Sequence, residues 1–403
     1  MVRHPPGLAE GEQEGPLTPE QVRALLSPEG RRAVATASAL DLSAGGRVRT
    51  AEAVRPLGAL GPLALEQALL RRRALAKHPR GDELWWTGPA LEQASSYDLA
   101  AHRARLFDRP VLDLCCSVGG DLLALPDGSV GVDLDEARLL LARANAEVLG
   151  RDVSLVRADA TALRLPAGAD VVVDPARRAG GRRVFDPRAY APPLDLVLGW
   201  RDRVRSLVVK VAPGVDHEAL PGDVEVEVGS LRGEVKEAVL LTGAARSGAR
   251  RTATLLPGPH VLVDDGTGAP PVRPPGPWLL EPDGAVVRAH LVAQLAAQVD
   301  GWLVDETIAY ISAATRVPTP YGKWFEVLEV LPFGLKALRE RLRAHDAGPL
   351  VVKKRGTAVE PEVLRKQLKL TGSREVTVVL TRAAGRQVAM VVRPEGAPAP
   401  EGA

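Results

Sequence analysis

Val111-Leu-Asp-Leu-Cys-Cys-Ser-Val-Gly-Gly-Asp121 is the stretch on which the fold turns. An apolar run enters a turn built from small residues, and Ser129-Val-Gly-Val-Asp133 follows as a second short strand ending in an acid. A strand, a tight turn, a helix start and an acid at the tip of the next strand frame a nucleoside cofactor. Small side chains let the backbone approach the ligand, and a helix N-terminus offers free N–H groups. The acid accepts the two ribose hydroxyls. Nicotinamide dinucleotide sites also place an acid about 20 residues beyond their glycine turn, so spacing alone leaves the cofactor open.

Working outward, apolar strands read at 110–115, 129–133, 153–156, 169–174, 206–211, 224–229 and 237–242, with helices at 119–125, 135–149 and 192–203. Alternation with short connections predicts an α/β, doubly wound parallel sheet. The last two strands are joined by Leu231-Arg-Gly-Glu-Val235, which suits an antiparallel hairpin at one edge. Upstream, Thr18 reads as an N-cap with Pro19 at N1 and Gln21 at N3, opening a helical region over 17–107. Trp85-Trp86 lies in it, as a base-stacking platform or, more plainly, as packing. Downstream the chain turns irregular after 243, with a Gly/Pro connector at 266–277 and a helical stretch at 284–315. An α+β unit closes the chain, with strands at 325–331, 349–353, 376–381 and 387–392 and helices at 332–345 and 360–369. The expected boundaries are a disordered tail at 1–16, the helical region 17–107, a central domain 108–258, connector and helix 259–322, a C-terminal module 323–393 and a tail 394–403.

The 403 residues suffice for two or three cores, and 45% hydrophobic with 25% charged residues is ordinary for globular chains. Net charge is +2, so any nucleic-acid surface must be local. Ten basic residues against three acids lie between Lys353 and Arg393. The two cysteines are adjacent and the seven histidines scattered, so no metal is expected. No run reaches 18 apolar residues and no signal-peptide core opens the chain, which leaves the cytoplasm as the default compartment and no membrane partner. The oligomeric state is left open.

Asp113, Asp133, Asp159 and Asp174 each fall within a residue or two of the end of one of four successive strands. Ligands of open sheets sit beyond those carboxyl ends. With these motifs the chain resembles the class I S-adenosylmethionine-dependent methyltransferases. Asp113 through Asp121 matches their first motif, Asp133-Leu134-Asp135 the ribose acid, Asp159-Ala160 the adenine motif and Asp174-Pro175-Ala-Arg177 the fourth motif. Leu91-Glu-Gln-Ala94, Pro192-Pro-Leu-Asp195, Lys210-Val-Ala-Pro-Gly-Val-Asp216, Glu281-Pro-Asp-Gly-Ala285 and Lys353-Lys-Arg-Gly356 look like an uncharacterised bacterial group with a C-terminal THUMP-like domain. The segment from Val118 to Val148 is also similar to cap trimethylguanosine synthases, which modify guanine N2. The resemblance spans about 20–393. It implies a seven-stranded methyltransferase sheet, S-adenosyl-L-methionine as cofactor, and structured RNA as partner, because THUMP domains accompany tRNA-modifying enzymes.

On that resemblance Asp113, Cys115, Ser117, Gly119, Gly120, Asp133, Leu134, Asp159 and Ala160 hold the cofactor, and Asp174 with Pro175 serves the transfer. An exocyclic amine would donate to the Asp174 carboxylate and the Pro175 carbonyl. Arg177, Arg178 and Lys210 are candidate substrate contacts, and Lys353, Lys354 and Arg355 candidate phosphate contacts. Ion pairs, a strand terminus and a solvated face are the competing readings of these cations. His217 reads as a surface helix position. The family's first motif carries glycine where Cys115 and Ser117 stand, and no aromatic follows Asp174-Pro175. A non-catalytic relative with a decayed site therefore stays open, as does a nicotinamide-dependent oxidoreductase.

Overall fold

The computed structural model describes residues 17–42, 47–176, 178–179, 182–183 and 186–396. The tail expected at 1–16 and most of that at 394–403 lie outside them. Two compact units emerge. The first comprises the chain to Val209 with Gly243–Ala245, and the second Lys210–Thr242 with Arg246 onward.

The first unit opens with α1 (Pro19–Leu26), whose capping box forms as its sequence predicts. Thr18 Oγ1 accepts the Gln21 amide at 3.3 Å, and Gln21 Oε1 accepts the Thr18 amide at 2.8 Å. Helices α2 (Pro28–Ser38), α3 (Arg47–Val54), α4 (Leu60–Ala74), α5 (Gly88–Gln93) and α6 (Tyr97–Ala104) follow. Their apolar faces close a core around Leu25, Val34, Leu70 and the two tryptophans, which are 2% and 4% exposed. Gln67 holds the backbone N–H and C=O of Trp86, and Arg71 lies 4.3 Å over the Trp85 ring. The pair is packing, and no face is offered to a base.

Strands β1 (Val111–Leu114), β2 (Ser129–Asp133), β3 (Val153–Arg157) and β4 (Asp170–Val173) are parallel. A two-residue pair β5 (Arg178–Ala179) and β6 (Arg182–Arg183) precedes β7 (Ser206–Val211). The order is β3-β2-β1-β4-β7. Every residue of β4 and β7 is buried, as a continuous apolar run covered on both faces should be. Helix α7 (Glu136–Leu149) runs from the Asp135 N-cap to Gly150, whose φ of +65° ends it. It packs Ala137, Leu141 and Ala144 toward the helical region and Leu139 and Ala146 toward Cys116, Leu122 and Val153. Two expected helices shrink. The one at 119–125 is a single turn, Leu122–Ala124, squeezed between Gly119-Gly120 and Pro126, and the one at 192–203 is α8 (Leu194–Leu198), bounded by Pro193 and Gly199.

In the second unit β8 (Glu225–Leu231) and β9 (Glu234–Gly243) form the expected antiparallel hairpin. Its turn residues Arg232 and Gly233 have φ of +53° and +84°, the two positive values a tight hairpin turn requires. The segment after 243, read as irregular, instead supplies β10 (Arg251–Leu256), parallel to β8, and β11 (His260–Val263), antiparallel to β10. After β12 (Trp278–Pro282), the helix expected over 284–315 is α9 (Gly284–Arg288), α10 (Val292–Gln298) and a hairpin of β13 (Trp302–Asp305) and β14 (Ile308–Ala313). Helical spacing in the first half masked the aromatic and β-branched character of Trp302-Leu-Val and Ile308-Ala-Tyr-Ile, which favours strands.

The closing elements are β15 (Gly322–Pro332), α11 (Leu335–Ala344), β16 (Ala347–Lys354), α12 (Pro361–Leu368), β17 (Arg374–Ala383) and β18 (Arg386–Pro394). They join β12–β14 in a sheet of order β13-β14-β12-β15-β18-β17-β16. Leu338, Leu342, Leu364 and Leu368 of the two helices bury against Leu350, Val378, Leu380 and Val391. Tyr310, Phe325, Val379 and Met390 form a second core in this unit.

Candidate active site

Strand register assembles the site. Leu114 pairs with Val132 and with Val173, so one residue further on Cys115, Asp133 and Asp174 stand level at the strand ends. The Asp174 amide donates to the Leu114 carbonyl at 3.2 Å, and Asp133 pairs with Arg157, two residues before Asp159. The Cys115 thiol reports the convergence. Burial first, and then the charges of Asp133, Asp174, Asp113 and Asp159, push it up to about 12. Burial pushes Cys116 well above the usual thiol range too, with Asp113 and Asp133 adding to it. Both shifts disfavour the thiolate that carbon-5 pyrimidine methylation requires.

The turn explains why glycine is expected in it. Cys115, Ser117 and Gly119 have φ of +64°, +52° and +90°, left-handed values that cost an ordinary side chain roughly 1–3 kcal/mol and glycine almost nothing. The geometry of the motif persists here with a cysteine and a serine in left-handed backbone. It is held by the Cys116 amide on the Val132 carbonyl at 3.0 Å, the Gly119 amide on the Cys116 carbonyl at 2.9 Å and the Ser117 amide on Asp133 Oδ2 at 2.9 Å. Asp133 Oδ1 accepts the Asp135 amide at 2.9 Å. Each oxygen of a carboxylate accepts about two hydrogen bonds, so Asp133 keeps capacity for ribose hydroxyls. Leu134 beside it is 63% exposed, an apolar face next to a polar acid. Asp159 is exposed and Ala160 buried. Asp159 Oδ1 accepts the Thr161 hydroxyl at 2.7 Å and amide at 2.8 Å, and these bonds hold its carboxyl below the usual range. Asp113 is buried within β1. Gly119 and Gly120, the acid and its apolar neighbour fit a nucleoside sulfonium, so these residues would hold S-adenosylmethionine.

Asp174 is half-buried and Pro175 buried, and Ala176 is fixed by reciprocal backbone bonds with Ala191 at 2.8 and 3.0 Å. Arg177 lies outside the described residues. Arg178 pairs through its backbone with Arg183. Lys210, in the second unit, is buried within β7 at 2% exposure. His217, expected on a surface helix, is buried and stacked on His290 with ring centroids 4.6 Å apart; burial, then His290, pushes it down to about 4.

The basic triplet does not form one cluster. Lys353 Nζ reaches Glu281 at 2.5 Å, Lys354 Nζ reaches Glu360 at 2.6 Å, and Arg355 donates to the Ala309 carbonyl at 2.9 Å over the Tyr310 ring. The strand alternates its faces, so neighbours in sequence part company. Within the C-terminal module Lys336 and Arg343 on α11, Lys366 on α12 and Lys369 at its end are exposed without an ion pair among the described residues, and so are Lys323 and Arg386 on the strands.

Two residues outside the expected site support the turn. Arg103 of α6 forms a buried ion pair with Asp121, and Asn145 of α7 donates to the Val118 carbonyl at 3.0 Å. For Asn145 the available signal was its place in the segment, Val118 through Asn145-Ala-Glu-Val148, that is similar to the trimethylguanosine synthases. A cavity of about 230 Å³ lies beside the turn, bordered by Gly119, Gly120, His78, Tyr97 and Arg151. None of the four strand-end acids lines it.

The THUMP domain-like family matches residues 322–394. The chain is 44% identical over 339 residues to a protein of Mycobacterium tuberculosis strain CDC 1551 described as an uncharacterised S-adenosylmethionine-dependent methyltransferase, covering 81% of this chain and 94% of that one. The counterpart in strain H37Rv matches equally. Among solved structures, a protein from Porphyromonas gingivalis W83 described as a putative methyltransferase is similar at a TM-score of 0.68 and 18% identity, over 94% of this chain and 99% of that one.

Proposed function

The chain belongs to the S-adenosylmethionine-dependent methyltransferases, and from that premise we propose that it methylates structured RNA on a base, with guanine N2 as a target. The observation that carries the RNA reading is the THUMP-like match at 322–394 in a chain that also bears the strand-end acids. In this reading residues 108–258 form the transferase domain and 323–393 present the RNA. Exposed Lys336, Arg343, Lys366 and Lys369 support a surface that follows a phosphate backbone by charge and shape, since no aromatic platform accompanies them.

Bound S-adenosylmethionine supplies an activated methyl group, so the protein's task is placement. Asp133 takes the ribose, and Leu134 and Asp159 border the base. Asp174 and the Pro175 carbonyl accept hydrogen bonds from an exocyclic amine, which orients its lone pair and favours the positive charge that develops on nitrogen. Arg177 and Arg178 are candidate clamps for a substrate phosphate. The upward shifts of Cys115 and Cys116, caused first by burial, support nitrogen over carbon-5 as the acceptor.

Mass spectrometry of nucleosides from a strain lacking the gene tests the reading. We expect one methylated nucleoside, N2-methylguanosine first among the candidates, to disappear from tRNA or rRNA and to return with the wild-type gene. An unchanged RNA profile would refute the RNA substrate while leaving the cofactor assignment standing.

A further inference from the structure

We infer that Asn145 is a positioning residue that holds the cofactor turn in a backbone conformation its own side chains oppose. The turn has left-handed φ at Cys115 and Ser117, where neither residue has glycine's freedom. Something outside the turn must hold it. Asn145, 1% exposed, is placed to do so. Its Nδ2 donates to the Val118 carbonyl at 3.0 Å, inside the turn, and to the Trp85 carbonyl at 3.0 Å. Its Oδ1 accepts the Trp85 amide at 2.7 Å. One amide thus ties the turn to a Trp85 backbone that is itself immobilised in the helical core, and it uses both donor and acceptor to do it. Arg103 adds a second tie at the far end of the turn through its buried ion pair with Asp121.

The consequence reaches the ribose acid. The Ser117 amide points at Asp133 Oδ2 only because Ser117 keeps its left-handed conformation. If the tie at Val118 is lost, Ser117 can relax to ordinary backbone, its amide leaves Asp133, and the carboxylate loses one of the two N–H groups that orient it. Asn145 therefore acts on the cofactor through the turn, without touching it. An equal tie would be dispensable in a turn made of glycine, so glycine at 115 and 117 should replace what Asn145 does.

That substitution supplies the test, read as binding of S-adenosylhomocysteine by calorimetry and as hydrogen exchange at the Ser117 amide. Asn145→Asp keeps the shape and the acceptor but removes the donor. We expect it to weaken binding at least tenfold and to speed exchange at Ser117. Introduced into a Cys115→Gly/Ser117→Gly chain, Asn145→Asp should weaken binding less than threefold relative to that glycine parent, although the glycines add no contact. A merely structural role for Asn145 predicts no such rescue. Unchanged affinity in Asn145→Asp, or loss without rescue by the glycines, would overturn the inference. Should Asn145→Asp alone not fold, Arg103→Met/Asp121→Leu removes the second tie with an apolar pair, and the same glycine rescue is required of it. Failure of the wild type itself to bind S-adenosylhomocysteine would count against the cofactor assignment, a separate outcome.

Discussion

The strand ends of the first unit and the basic triplet of the second gather like charges in opposite ways. Asp113, Asp133, Asp159 and Asp174 are distant in sequence, yet parallel register brings them around one thiol and their fields sum on Cys115. Lys353, Lys354 and Arg355 are consecutive, yet the strand sends them to Glu281, Glu360 and the Ala309 carbonyl. Charge that matters to chemistry is collected by topology, whereas adjacency on a strand disperses it.

The comparison is broken most severely at Asp174. If the strand-end acids act as a site, Asp174→Asn should lower kcat for methyl transfer by about 10²–10³-fold, the usual loss for a removed transition-state acceptor. Affinity for S-adenosylhomocysteine should stay within a few-fold. An equal loss in both measurements would make Asp174 a cofactor ligand. Next comes Asp133→Ala, expected to weaken the cofactor by about 10- to 150-fold, as a charge-assisted hydrogen bond of roughly 1.5–3 kcal/mol implies. Calorimetry reads it directly, and an unchanged dissociation constant would mean that the ribose is held elsewhere.

The acids can also be sensed through the thiol they surround. Cys115 is raised in the folded protein above an unfolded value of about 8.5. A raised thiol favours the protonated fold, so its contribution is complete below about pH 8.5 and is lost as pH climbs toward 12. Urea midpoints should fall above pH 9, and Cys115→Ala should flatten that fall. Native alkylation by iodoacetamide at pH 8 should run at least about 10²-fold slower than for a free thiol. Rapid modification would show that burial and the surrounding acids do not keep this thiol protonated.

Much of the first unit was legible because its signals are local. An apolar run, a small-residue turn and an acid at the next strand end recur from Val111 to Asp174, and parallel pairing converts equal spacing into proximity. The capping box at Thr18 and the Arg232-Gly233 hairpin were equally readable. The hairpin of Trp302–Asp305 and Ile308–Ala313 was not, because the helical spacing of Gly284–Gln298 carries the eye past Asp300-Gly301, the turn dipeptide that separates the two. Nor was the support of the turn. Asn145 lies 27 residues from Val118 and 60 from Trp85, and only the packing of α7 brings them together.

The smallest expected effect lies in the triplet, and it separates the two kinds of charge clustering. Each lysine or arginine on a phosphate adds about one to the slope of log affinity against log salt. Lys353 and Lys354 already face carboxylates, so Lys353→Ala/Lys354→Ala should change the slope of RNA binding by less than about one. Exposed Lys336, Arg343 and Lys366 have no such partner, and replacing all three with alanine should lower it by about three. Filter binding of total tRNA across a salt series reads both. A full drop of about two from the paired lysines would mean that RNA displaces Glu281 and Glu360, and then the triplet would be a masked phosphate site opened by its ligand. A small change there with a large one on the helices would place the RNA face on α11 and α12.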